Sequence, residues 1–126
     1  MGLKGINIGE TRNFISKHDQ DKEHPTVFKI GILDSIVMSG LLDALEFDAQ
    51  HQIKSKHRYS MELVRFGLKG IENFSAEFKT TKIVRWGQEY EVVDNLTIAR
   101  IPVLVIDEIA GEIMDDNVLS EGERKN

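Results

Sequence analysis

The strongest run of apolar positions in the first third of the chain is Thr26–Leu33, where Thr-Val-Phe-Lys-Ile-Gly-Ile-Leu is rich in β-branched residues and bounded by Pro25 and Asp34. Such a run predicts a strand. Asp34 or Ser35 can cap a helix extending to about Phe47, on which Val37, Leu41, Leu42 and Leu45 recur at helical spacing and would face a core. Ala49–Arg58 is polar and predicts a loop, with His51, Lys54, Lys56, His57 and Arg58 as a short basic stretch. Ser60 would cap a second helix carrying Met61, Val64, Leu68 and Ile71 along one stripe. Gly67 and Gly70 weaken its later half and predict an end near Phe66. Phe78–Arg85 and Glu89–Val93 alternate as two strands, with Trp86-Gly87-Gln88 as the turn between them. Asp94 is placed to cap a short helical turn. Pro102 opens the clearest helix, with Val103, Ile106, Ile109, Ala110 and Ile113 inward and Asp107, Glu108, Glu112, Asp115 and Asp116 outward.

The two ends lack such periodicity. Gly2, Gly5 and Gly9 loosen the start, and His18–Pro25 is a polar loop; between them Phe14 and Ile15 are the bulky apolar anchors. The expected division is an extended N-terminal arm over 1–25, a compact α+β domain over 26–117, and a charged tail over 118–126. The fold class is α+β: a small antiparallel sheet with two or three helices. On this division, deleting residues 1–20 leaves the domain folded but abolishes its incorporation into an assembly.

Composition narrows the class of protein. A chain of 126 residues has room for one modest core, and 40% apolar with 29% charged residues suits a folded domain. The absence of cysteine removes disulfides and thiolate zinc sites. No run approaches the roughly 20 apolar residues a membrane helix needs, so no membrane association is expected and the cytoplasm is the expected site of synthesis. The net charge of −5 is unevenly spread. Residues 1–50 carry 5 basic and 8 acidic side chains, 51–90 carry 8 and 4, and 91–126 carry 3 and 9. A basic middle and an acidic end can pair within one molecule or between successive subunits.

Candidate chemistry fails residue by residue. Asp19, Asp21 and Glu23 alternate as the first ligands of a calcium loop do, but the sixth and twelfth positions, which need glycine and a carboxylate, are His24 and Ile30. His51 and His57 have no acidic or thiol partner at the helical i,i+4 spacing. Nucleophile-elbow, phosphate-loop and dinucleotide motifs do not occur. No catalytic residue, metal or cofactor is therefore assigned, and the chain is expected not to be an enzyme. Gly67-Leu68-Lys69-Gly70 has the Gly-x-x-Gly spacing with which some modules clamp a nucleic-acid backbone, so a Gly67–Gly70 loop is kept as a nucleic-acid alternative.

Seven segments together resemble small proteins encoded among the head and tail structural genes of tailed bacteriophages. They are Leu3–Arg12 with Ser16–Asp19, Pro25–Gly31 running into Leu33-Asp34-Ser35, Phe66–Phe74, Arg100-Ile101-Pro102, and Asn117–Asn126. The resemblance implies a virion component, in capsid decoration or head–tail joining, with capsid, connector or tail subunits as partners and a likeness to proteins that form homo-oligomers or lattices. It also admits a tail assembly chaperone that does not stay in the virion. The implied location is the host cytoplasm during assembly and then the particle. Contact with partners is expected at Phe14 and Ile15, which interrupt a polar stretch, and at Trp86 on the hairpin turn.

Overall fold

In the computed structural model, which describes residues 2 and 5–119, the chain forms five strands and four helices. In order they are β1 (Thr11–Phe14), β2 (Val27–Gly31), α1 (Ser35–Asp43), α2 (Lys56–Gly67), β3 (Leu68–Glu72), β4 (Thr80–Arg85), β5 (Gln88–Val93), α3 (Asn95–Ala99) and α4 (Val103–Leu119). The fold is α+β. One antiparallel sheet has the order β1-β2-β3, and β4 with β5 makes a second. No described helix is long and apolar enough to cross a membrane.

The apolar stripes read from the sequence meet in one core. α2 packs along α4, and Leu63, Val64, Ile106, Ile109 and Ile113 are almost wholly buried between them. β2 contributes Phe28 and Ile30, and β5 contributes Val92 and Val93. Each large aliphatic side chain so buried stabilises the fold by about 1.5–3 kcal/mol. Gly67 lets α2 approach α4, since a Cβ there would press on Ile113. Asp34 and Asp94 cap α1 and α3 as expected, each accepting at 2.8 Å from the amide three residues on.

Several boundaries differ from expectation. α1 stops at Asp43 rather than Phe47, because residues 46–54 turn back on themselves through a Phe47–Ile53 bridge. α2 begins at Lys56, so only the end of the basic stretch, Lys56–Arg58, lies in its first turn, and Ser60 is a buried helical residue rather than a cap. Leu68 and Ile71 lie not on α2 but in β3. Leu42 and Val103 are exposed.

The first 25 residues are tied to the fold at several points. β1 pairs with β2, Phe14 opposite Phe28, and Phe14 packs against the core. Arg12 bridges Glu112 at 2.5 Å and the buried Asp116 at 2.7 Å, and the Ser16 hydroxyl donates to Glu108. Part of the acidic side of α4, assigned by its pattern to solvent, is thus the surface on which residues 12–17 lie. Asn117 extends this clamp: its side chain donates to the Leu33 carbonyl at 3.0 Å and accepts from the Leu33 amide at 3.2 Å. Of the expected tail, Val118 and Leu119 end α4, and Ser120–Asn126 lie outside the described residues, as do Met1, Leu3 and Lys4 of the arm.

Candidate functional site

The β4–β5 hairpin turns through Trp86 and Gly87, both at positive φ (51° and 76°). Two consecutive left-handed residues make the tight turn whose twist matches that of the strands it joins. The turn carries the indole back over α1, where it lies against Gly40; a Cβ at that position would collide with the ring. Trp86 also packs on Phe66 with centroids 5.5 Å apart, and Tyr90 meets both rings edge-on at 5.6 and 6.0 Å. The Arg85 guanidinium sits 5.8 Å from the Phe66 centroid and 5.9 Å from that of Trp86. This is cation–π range.

Glu62 gathers the charge beside this cluster. It accepts from Arg65 at 2.7 Å and from Arg85 at 3.0 Å. Burial opposes ionisation of the Glu62 carboxyl, but the two guanidinium bonds outweigh it and hold the group below its ordinary range. Over Trp86 and Glu62 lies a cavity of about 390 Å³ that also meets Gly40, Tyr59, Lys54 and Arg58. The arrangement is an aromatic floor with a basic rim. Trp86 itself is 39% exposed, so it is both packed underneath and presented.

A second, larger concavity of about 620 Å³ opens between the loop that follows β1 and the first turn of α4. Its walls are mostly apolar: Phe28, Phe74, Pro102, Val103 and Leu104, with Asp19 and His18 at the rim. Asp19 is held in place by amides of its own loop, accepting from Asp21 at 2.9 Å and Thr26 at 2.7 Å. Those bonds keep its carboxyl below the usual range. They also account for the alternating acids, which organise turns: the Asp21 side chain accepts from the Glu23 and His24 amides. Among the described residues no group of three or more such side chains is arranged to hold a metal ion.

The residues singled out by sequence fall in three different settings. Phe14 is half-buried in β1 and serves its own core, Ile15 beside it is 49% exposed, and neither lines the Trp86 cavity. Gly67–Gly70 is not a loop. Gly67 ends α2, Leu68 starts β3, and Gly70 pairs with Lys29 across the sheet. Lys69, whose ammonium donates to the Phe66 carbonyl at 2.9 Å, is drawn below its ordinary range by burial. A backbone engaged in a sheet cannot wrap a phosphate chain, so the Gly-x-x-Gly reading loses its geometry. Sequence reasoning missed Phe47, Val103 and Leu104, exposed at 56%, 43% and 60%. The signal for Phe47 was available: it is a lone aromatic among Glu46, Asp48 and Gln50, the same cue that marked Phe14.

Comparison with protein-family models, with curated proteins and with solved structures finds no match to this chain.

Proposed function

We propose that this chain is a non-enzymatic structural component of a tailed-phage virion, in capsid decoration or head–tail joining, that works through contacts with other structural subunits. The observation that supports contact rather than chemistry is the placement of its exposed apolar side chains. Phe47 and Ile53 stand together on one structured hairpin, and Val103 and Leu104 line one groove. Single exposed apolar residues are ordinary on any protein, whereas paired ones on rigid elements mark interaction surfaces. The phage context comes from the resemblance of the seven segments, and the virion is the location it implies after assembly in the host cytoplasm.

Quantitative mass spectrometry of purified particles tests this. The expected result is a fixed ratio of this chain to the major capsid or tail protein across preparations. A chain missing from finished particles that co-purifies with a tail subunit from infected cells is instead an assembly chaperone. Absence from both removes the phage reading.

A further inference from the structure

The cavity of about 390 Å³ over Trp86 carries three side-chain donors that meet no acceptor among the described residues. The Lys54 ammonium and the Arg58 guanidinium both line it, and neither forms an ion pair among those residues. The Ser55 hydroxyl lines it between them and makes no capping bond to α2. The carboxylates of the lining do not neutralise this set. Glu62 already accepts from Arg85 at 3.0 Å and from Arg65 at 2.7 Å, and Arg65 reaches it from outside the lining. Glu46 is exposed and forms no ion pair among the described residues. Lys54 and Arg58 therefore outnumber the one carboxylate left to face them, and the cavity favours an anion.

The rest of the lining asks for a different chemistry. Trp86 packs on Phe66, Tyr90 and Gly40 and still leaves 39% of its surface uncovered. Leu41, Ala44 and Leu45 of α1 continue this apolar surface, and Tyr59 adds a second ring. A broad flat indole is covered best by another flat ring. The volume falls in the lower part of the roughly 300–1,000 Å³ range of small-molecule sites, which suits one ring system with one charged group.

We propose that this cavity binds a small anion built on a flat aromatic ring, of the nucleoside monophosphate class. The ring lies on Trp86, and the phosphate takes the donors of Lys54, Ser55 and Arg58. A phosphate monoester brings three acceptor oxygens and a charge of about −1.5 to −2, which matches three donors and two cations better than a carboxylate does. The site goes beyond the assembly role, does not rest on it, and uses no residue of Gly67–Gly70.

The test uses the full chain, in which Trp86 is the sole tryptophan, so that tryptophan fluorescence reports this cavity alone. Titration with AMP is expected to change that fluorescence saturably, with an affinity that falls as salt is raised. Adenosine, which lacks the phosphate, and ribose 5-phosphate, which lacks the ring, should each bind at least roughly tenfold more weakly by calorimetry. Lys54→Gln and Arg58→Gln should each weaken AMP binding roughly tenfold, as loss of one charged hydrogen bond does. Glu46→Gln removes the opposing charge and should tighten it about twofold. These three side chains are exposed and unpaired among the described residues, so thermal unfolding should stay unchanged in each variant. The absence of a saturable response to AMP overturns the proposal. So does AMP binding indifferent to both Lys54→Gln and Arg58→Gln, or adenosine binding as tightly as AMP. A single-stranded oligonucleotide that binds far more tightly than AMP through the same residues makes this a nucleic-acid contact and overturns it as well. Particle composition is untouched by any of these results, so the cavity and the virion role stand or fall separately.

Discussion

At the scale of single residues, Trp86 shows how a strained position is kept. A tryptophan with φ near 51° sits where side chains other than glycine, asparagine and aspartate are uncommon, at a cost of about 1–3 kcal/mol. Contacts with Phe66, Tyr90 and Arg85 and the shelf at Gly40 offset that cost. Gly40 supplies a sign test. Within a helix, glycine to alanine ordinarily stabilises by about 0.5–1 kcal/mol. Here the added methyl group meets the indole, and overpacking of that kind costs about 1–3 kcal/mol. Gly40→Ala should therefore destabilise the protein in urea unfolding. In a Trp86→Ala background the same change should become stabilising, a reversal that a double-mutant cycle measures directly. A stabilising Gly40→Ala in the unmodified chain would place the ring elsewhere.

At the scale of elements, the first 16 residues gain a role that their composition did not announce. Removing them strips β1 from β2, the Arg12 bonds from Glu112 and Asp116, and the Phe14 contact from the core. Charge-assisted hydrogen bonds and partial aromatic burial of that extent together stabilise by roughly 2–4 kcal/mol. Deleting residues 1–16 should lower the urea midpoint by a corresponding amount and raise amide exchange in β2. The sequence alone predicts only that a chain lacking residues 1–20 stays folded and loses its incorporation into an assembly. What was legible follows from where water is excluded. β2, β5 and the inner stripe of α4 carry β-branched or periodic apolar residues because they face the core, and their patterns were readable. β1 (Thr-Arg-Asn-Phe) and β3 (Leu-Lys-Gly-Ile-Glu) are edge strands with two exposed positions each, so no comparable pattern survives in them. Of the acids of α4 read as outward, Asp115 is exposed, Asp107, Glu108 and Glu112 are partly covered, and Asp116 is buried under Arg12. That Arg12 and Ser16 would cover part of this acidic side depends on a contact about a hundred residues away, which no local spacing encodes.

At the scale of the molecule, the uneven charge resolves into a few local networks. The acidic end meets the arm through Arg12 and the basic middle through His57 and Asp107, while Glu62 satisfies Arg65 and Arg85 inside the basic middle itself. Lys54, Lys56 and Arg58 are left facing outward, which is what gives the α1–α2 hairpin its positive flank. The same networks set the response to acid. Glu62, Asp19 and Asp94 all hold their carboxyls below their ordinary values of 4.5, 3.8 and 3.8. For Asp94 the cause is the hydrogen bonds it accepts from Thr97 at the α3 cap. On acidification the unfolded chain takes up protons first, so it binds more of them than the folded chain does. Stability from these groups is then complete above about pH 4.5 and falls as the pH drops through their depressed folded values. Glu62 is the most enclosed of the three, with 24% of its side chain exposed, and it anchors both guanidinium groups. Glu62→Gln keeps the shape and removes the charge. It should cost about 1.5–3 kcal/mol at pH 7, the range for hydrogen bonds to a charged group, and flatten the loss of stability below pH 4.5. Urea midpoints taken at neutral pH and at successive steps below that value measure both effects. A variant that is destabilised equally at every pH would show that Glu62 holds Arg65 and Arg85 by shape alone and not by its charge.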